Sequence, residues 1–286
     1  IGRRLPMERI RNGIKLAAEA LSYDGGQAAA DAILTTDLVC KKAAVSVEIN
    51  GKEIVVGGIC KGSGMICPNL ATTLCFITTD AKVKQSALQK ATKAAVEKSF
   101  NRITVDGDQS TNDTFVVFAN GAASEIELDE AHPEWSKFVE ALTEVATSLA
   151  KQIVMDGEGA TKFVAITVEK AASNEDALLA CREIANSPLF KTACFGGDPN
   201  WGRVISAVGN SGCEVEELKT EIYFDDVCVF NKGKLASEED NARLAKVMAQ
   251  RAFGVTVKLN LGEGEDTVYT SDLSYGYVKI NGEYTT

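Results

Sequence analysis

An Asn50-Gly51 pair between two short apolar runs is the feature that most constrains the fold of this chain. Residues 43–48 and 53–58 contain the valine and isoleucine typical of strands, and Asn-Gly between two strands is the strongest local signal of a β-hairpin. Helical periodicity appears in other segments, at 7–22, 85–100 and 133–154. Hairpin-linked strands mixed with helices predict an α+β fold rather than a doubly wound parallel sheet.

The rest of the chain continues this mixture. Serine followed by an acid three residues later predicts the starts of two further helices, after Ser173 and after Ser237, which would run to about residues 186 and 253. We predict further strands at 74–78, 114–120, 163–169, 214–224, 226–230, 255–261 and 267–280. The pattern changes near Ala171, which suggests a second, smaller unit.

Composition excludes several classes of protein. A net charge of −10 argues against a nucleic-acid binder, which usually carries a basic patch. No apolar run approaches the roughly 18 residues of a membrane span, and the start does not resemble a signal peptide. The eight cysteines form no C-x-x-C pair, so neither a zinc site nor a redox motif is indicated. We expect a cytoplasmic protein without metal or other cofactor.

The most informative segment for function is residues 61–74, Lys-Gly-Ser-Gly-Met-Ile-Cys-Pro-Asn-Leu-Ala-Thr-Thr-Leu. It is a glycine-rich loop that passes through a Pro68-Asn69 turn into an apolar strand. Thr72 would sit where the loop meets the strand, a suitable place for a nucleophile, although a threonine there is also an ordinary strand residue. Strand alternation would point its neighbour Thr73 to the opposite face.

A threonine hydroxyl needs a base, and the chain's only histidine, His132, lies in an acidic stretch before a proline, typical of a surface helix start. A Ser–His–Asp or Cys–His mechanism is therefore disfavoured. Cleavage between Ala71 and Thr72 would supply another base, the new α-amine of Thr72, whose ordinary pKa of about 7.7–8.0 suits proton transfer near neutral pH.

These residues closely resemble the ornithine acetyltransferase family (glutamate N-acetyltransferase), whose members cleave themselves and use an N-terminal threonine. The resemblance covers essentially the whole chain, through residues 5–7, 61–80, 105–114, 156–162, 195–203 and 281–286. One departure is Thr73, where the family usually has methionine. The family also has a sizeable segment before the point that corresponds to Ile1, so we expect the chain to be a fragment.

The resemblance implies a fold and a set of site residues. The fold would be an α/β/β/α sandwich, residues 1–170 with about 266–286, and a smaller α/β domain at 171–265. Thr72 would be the catalytic nucleophile and, together with Lys61, Glu158, Asn281 and Thr286, would contact the substrate. The family's oxyanion hole is a Thr-Gly pair upstream of this chain, which itself contains no Thr-Gly dipeptide. Residues 105–114 resemble half of a calcium loop, but the glycine and the final glutamate of such a loop are missing from their places, so we interpret the segment as a turn.

The implied reaction is transfer of acetyl from N2-acetylornithine to glutamate through an acetyl-threonine, with acetyl-CoA as an optional donor. The partners would be these small molecules and the chain's own α and β fragments in an α2β2 heterotetramer. Two other functions stay open: a self-processing aminopeptidase or amidase, and an amino-acid-binding protein without catalysis in which Thr72 is structural.

Overall fold

The computed structural model describes residues 4–67, 73–231, 233–235 and 238–283. The helices of these residues are α1 (Met7–Glu19), α2 (Gly26–Ala32), α3 (Gln85–Lys98), α4 (Trp135–Met155), α5 (Asn174–Asn186), α6 (Pro188–Gly196), α7 (Trp201–Asn210), α8 (Glu238–Ala249) and α9 (Tyr275–Glu283). The strands are β1 (Lys41–Ile49), β2 (Lys52–Lys61), β3 (Leu74–Thr79), β4 (Ile103–Thr104), β5 (Thr114–Ala119), β6 (Phe163–Ala171), β7 (Glu221–Phe224), β8 (Val227–Asn231), β9 (Lys234–Leu235), β10 (Ala252–Lys258) and β11 (Gly264–Ser271).

The first sheet has the strand order β1-β2-β3-β5 and contains the predicted hairpin. β1 and β2 are antiparallel, with Ile49 opposite Lys52, and both residues of the Asn50-Gly51 turn have positive φ, 52° and 69°. A two-residue turn of this kind matches the twist of the strands that it joins. The hairpin prediction is confirmed.

The second sheet has the order β4-β11-β6-β10-β7-β8-β9 and mixes parallel with antiparallel pairs. β6 is the third of its seven strands and lies between β11, to which it is antiparallel, and β10, to which it is parallel. This sheet combines strands from both of the sequence-predicted domains, whose boundaries stay a prediction. The mixed α and β architecture is the one that the sequence indicated.

Helices pack on both sheets through apolar faces. In α4, the buried residues recur at helical spacing, and this face contacts β1 and β2 of the first sheet and also β11 of the second. α5 lies against β6 and β11 and buries Ala177, Ala180, Cys181 and Ile184. Each large apolar side chain removed from water in these layers contributes about 1.5–3 kcal/mol to folding.

The predicted strand at 267–280 is wrong in its second half. β11 ends at Ser271, and residues 275–283 form α9. Ser274, just before the helix, accepts hydrogen bonds from the N–H groups of Gly276 (3.0 Å) and Tyr277 (3.4 Å) through its Oγ, as an N-cap does. This cap starts a helix in a segment whose apolar residues alternate as in a strand.

Two other strand predictions have wrong bounds. In the predicted strand at 214–224, only Glu221–Phe224 pairs, because a 3₁₀ turn occupies Glu217–Lys219. The strand predicted at 255–261 runs from Ala252 to Lys258.

Among the described residues, no helix is long and apolar enough to cross a membrane, and no three side chains of His, Cys, Asp or Glu gather as metal ligands would. All eight cysteines are free thiols.

Candidate active site

The glycine-rich loop starts where β2 ends, at Lys61, and its backbone is fixed by side chains distant in sequence. The N–H of Gly62 donates to Asp37 Oδ1 (2.7 Å), and the hydroxyl of Ser63 donates to the carbonyl of Asp156 (2.7 Å). Ser63 is buried. The loop is thereby held against two acidic residues that are far apart in the sequence, Asp37 before β1 and Asp156 after α4.

A buried cation joins these two acidic residues. Lys41 is fully buried, and its Nζ donates to Asp37 Oδ1 (2.6 Å), Asp156 Oδ2 (2.5 Å) and the carbonyl of Val39 (3.3 Å). These three acceptors use all three ammonium protons. Burial tends to raise the pKa of Asp37, but the bonds from Gly62 and Lys41 outweigh it, so the pKa is lowered and the carboxylate stays ionised.

Lys61 lies at the mouth of the loop, where the sequence placed it. Its Nζ is 3.5 Å from the hydroxyl oxygen of Thr35, which precedes Asp37 by two residues. We did not predict Thr35 as a site residue. The only signal for it in the sequence is the polar Thr35-Thr36-Asp37 run, which has no periodicity to distinguish it from an ordinary loop.

Glu158 and Asn281, two more of the predicted substrate contacts, meet on the other side of the loop. The N–H of Glu158 donates to the carbonyl of Ser63 (2.9 Å), and Asn281 Nδ2 donates to Glu158 Oε2 (2.9 Å). The carboxyl group lies directly over Gly64, where an added Cβ would come 2.5 Å from Glu158 Cδ. The structure therefore brings Lys61, Glu158 and Asn281 to one loop.

Asp113 lies just before β5 and contacts the other end of the 61–74 segment. Its Oδ1 accepts the N–H of Thr73 (2.8 Å), the residue after the predicted nucleophile. Burial raises the pKa of Asp113 to about 6, partly opposed by this hydrogen bond and by the positive charge of Lys61. The sequence suggested only a turn-shaping role for Asp113.

Thr73 is 2% exposed. Its Cγ2 faces Gly62, so closely that a Cβ at Gly62 would come within 2.9 Å of it. The Thr73 hydroxyl has no hydrogen-bond partner in the described part of the chain. Ala71, Thr72 and Thr286 lie outside the described residues, so the cleavage site, the nucleophile and the C-terminal contact stay predictions.

Comparison with known proteins identifies the family of this chain. The profile of the ArgJ family matches residues 1–286, the whole chain. The chain belongs to the ArgJ family. Its resemblance to ornithine acetyltransferases is thereby confirmed.

ArgJ-family relatives are similar over the full chain. "Arginine biosynthesis bifunctional protein ArgJ" of Geobacter sulfurreducens is 50% identical over 286 residues, which are 100% of this chain and 73% of the relative. The protein of the same name from Methylococcus capsulatus is 48% identical over 289 residues, 100% of this chain and 70% of the relative.

A crystal structure of ArgJ from Bacillus halodurans is 40% identical and superposes with a TM-score of 0.70. It covers 73% of this chain and 98% of its own. It is thus a shorter chain than this ArgJ-family member.

His132 and Trp201 contact residues outside those of the ArgJ-family site described above. His132 Nε2 contacts Asn50 Nδ2 (2.7 Å) at the hairpin turn, and its Nδ1 accepts the N–H of Glu134 (3.1 Å). The turn is at the opposite end of β2 from Lys61, about 30 Å away at the usual rise per residue. Trp201 stacks on Phe230 with ring centroids 4.9 Å apart, within the core around the second sheet.

Proposed function

We propose that this chain transfers the acetyl group of N2-acetylornithine to glutamate through an acetyl ester on Thr72. As a member of the ArgJ family, the chain is an acyltransferase of arginine biosynthesis, a glutamate N-acetyltransferase. The observation that carries the assignment of the site is the meeting of Lys61, Glu158 and Asn281 around the loop that leads to Thr72.

The charges of this site suit an amino-acid substrate with two ionic groups. Lys61 would bind the α-carboxylate of N2-acetylornithine, and Thr35 would orient the ammonium group of Lys61. Glu158 would accept the free side-chain ammonium of the substrate. A carboxylate has about four lone-pair sites, so the bond from Asn281 leaves capacity for this contact.

The chemistry would start with cleavage of the chain. The hydroxyl of Thr72 attacks the carbonyl of Ala71, and the peptide C–N bond between the two residues breaks. This leaves Ala71 as an ester on the hydroxyl and gives Thr72 a free α-amine, and water then hydrolyses the ester. In the mature enzyme this amine accepts the proton of the hydroxyl as the hydroxyl attacks the acetyl carbonyl, and ornithine leaves. Glutamate then attacks the acetyl-threonine and departs as N-acetylglutamate, so the acetyl group is conserved.

We extend the proposal to the family's α/β/β/α sandwich, the smaller α/β domain, the α2β2 assembly and a cytoplasmic location. Use of acetyl-CoA as a second donor would follow the same acetyl-threonine route.

The two other functions make different predictions. An aminopeptidase or amidase would pass the acyl group to water instead of glutamate, and a binding protein would stay in one piece. Membership of the ArgJ family favours neither.

Acetyl labelling tests the proposal directly. After incubation with N2-[¹⁴C]acetylornithine and denaturation, the label should be on a fragment whose Edman sequence begins Thr-Thr-Leu, and added glutamate should remove it as N-acetylglutamate. Thr72→Ala should remain one uncut chain without label. Label on another fragment, or cleavage of Thr72→Ala, would contradict the assignment. The rate of transfer should rise with pH as the α-amine of Thr72 loses its proton.

A further inference from the structure

One carboxylate outside the predicted substrate contacts holds both the glycine-rich loop and the C-terminal helix. Asp106 follows β4, and its Oδ2 accepts the N–H of Met65 (2.8 Å) and the hydroxyl of Tyr277 (3.2 Å). Its Oδ1 accepts the N–H groups of Ile66 (3.0 Å) and Asp108 (3.3 Å). Four donors thus converge on one side chain, from the loop, from its own turn and from α9.

On the loop side, Asp106 fixes Met65 and Ile66, a few residues before the Ala71–Thr72 junction. Ile66 is fully buried, and its carbonyl accepts the N–H of Val105 (2.8 Å) and the hydroxyl of Thr104 (3.0 Å). Met65 has a φ of 56°, a left-handed conformation that is unfavourable for a residue with a side chain. Such a conformation persists only where the surrounding structure enforces it. Two bonds to Asp106 enforce it here, one from the N–H of Met65 and one from the N–H of the next residue, Ile66.

On the helix side, the bond to Asp106 comes from Tyr277, one turn before Asn281, the residue that contacts Glu158. Tyr277 and Asn281 are four residues apart in α9 and therefore share one face. Asn281 Nδ2 donates both to the carbonyl of Tyr277 (3.1 Å) and to Glu158 Oε2 (2.9 Å). A shift of Tyr277 therefore moves Asn281 relative to Glu158.

Both carboxylate oxygens of Asp106 are needed as acceptors in this arrangement. Burial raises the pKa of Asp106, and the hydrogen bonds that it accepts, from Met65 and Ile66 above all, oppose that rise. Burial and the neighbouring Asp106 raise the pKa of Tyr277, so its hydroxyl keeps the proton that it donates. An asparagine at 106 has one oxygen and a donor NH₂, so it cannot accept from both faces.

We propose that Asp106 is a positioning residue of the acetyl-transfer site, which sets the C-terminal helix in register with the loop that leads to the Ala71–Thr72 junction. This inference rests on the proposed function. It assigns to Asp106 and Tyr277 the task of placing Asn281 and Glu158 at the substrate end of the loop, while neither residue touches the reacting atoms.

Tyr277→Phe is the sharpest variant, because it removes one hydroxyl and keeps the ring. Ser274 and its bond to the carbonyl of Gly159 (2.6 Å) still hold the start of α9, so the variant should fold. We expect KM for N2-acetylornithine to rise about 10- to 100-fold, as for loss of a hydrogen bond to a charged group, with kcat within about twofold and self-cleavage at the wild-type rate. Tyr275→Phe is the matched control, the same change on an 83% exposed ring of the same helix, and should equal wild type.

Asp106→Asn should raise KM similarly and also slow self-cleavage, because it disturbs Met65 and Ile66 as well as Tyr277. Asp108→Asn, an exposed neighbour in the same turn, is its control. A double-mutant cycle separates positioning from a general loss of stability: Asn281→Ala should cost much less in the Tyr277→Phe background than in wild type. Calorimetric binding of N2-acetylornithine reports the same coupling independently of turnover.

The outcomes distinguish the two proposals. If wild type transfers acetyl but Tyr277→Phe equals Tyr275→Phe, or if Tyr277→Phe and Asn281→Ala are additive in both KM and binding, the role of Asp106 is refuted. If wild type neither cleaves nor transfers, the proposed function fails, and binding of N2-acetylornithine still decides whether Tyr277 and Asn281 are coupled.

Discussion

Folding favours the protonated form of the Asp113 carboxyl group. Its pKa is raised to about 6 from an ordinary value of 3.8, so ionisation destabilises the fold as pH rises from about 4 to 6. Asp113→Asn keeps an oxygen for the N–H of Thr73 and removes the charge. We expect a gain in stability above pH 6, about 1 kcal/mol once solvent screening of this half-buried group is allowed for, and no gain near pH 4.

Thermal unfolding of both proteins between pH 4 and 8 would measure this gain. Asp108→Asn, an exposed carboxyl of the same segment, is the control and should leave the pH dependence unchanged. A stability difference for Asp113→Asn that is independent of pH would show that the effect does not come from ionisation.

Gly64 leaves the space in which the carboxyl group of Glu158 lies. Because a Cβ would come 2.5 Å from Glu158 Cδ, Gly64→Ala should push this carboxylate away from the substrate ammonium that we propose it binds. We expect KM for N2-acetylornithine to rise at least tenfold while self-cleavage continues, measured by steady-state kinetics and intact mass. Gly209→Ala, where an added Cβ meets nothing within 4 Å, should leave KM unchanged.

Single residues could be predicted from the sequence only where a motif marked them. Lys61, Glu158 and Asn281 were named from the family's blocks, and the structure places all three at one loop. The roles of Thr35 and Asp106 were not predicted, because each depends on partners more than twenty residues away. Neither a threonine in a loop nor an acid in a turn carries a local sign of such a partner.

At the scale of elements, α9 depends on contacts that its own sequence does not contain. Gly159 has a φ of 67°, and a Cβ there would come 2.6 Å from the carbonyl carbon of Gly276. Gly159→Ala should therefore displace the start of α9. We expect faster proteolysis of residues 275–286, measured by limited trypsin digestion with mass spectrometry. We also expect a large rise in KM for N2-acetylornithine. A digestion pattern equal to that of wild type would contradict the docking of α9 on Gly159.

This dependence explains which elements the sequence could predict. The hairpin is specified locally, since Asn50 and Gly51 both favour the left-handed conformation that the turn needs. α5 was predicted because its cap is local as well: Ser173 Oγ accepts the N–H of Asp176 at 3.1 Å. α9 was mistaken for a strand because its apolar residues alternate, and the Ser274 cap and the contact with Gly159 decide for the helix.

For the whole molecule, the proposed cut crosses a sheet without dividing it. β2 precedes the junction and β3 follows it, and they pair from Val56 with Thr79 to Lys61 with Leu74. Residues from both sides also share one apolar core, among them Ile54 and Ile77. We expect residues 1–71 and 72–286 to elute together in gel filtration and to separate only in denaturant. Elution of the smaller fragment alone under native conditions would contradict this.

The ammonium of Lys41 and the carboxylate of Asp37 lie before the junction, and the carboxylate of Asp156 lies after it. Breaking such a buried ion pair costs about 3–5 kcal/mol, because one charge is left without its counterpart. Each fragment alone would therefore keep a buried charge without its full set of partners. A gene divided at codon 72 should give active enzyme when both reading frames are translated in the same cell, and aggregates when the halves are produced apart and mixed afterwards.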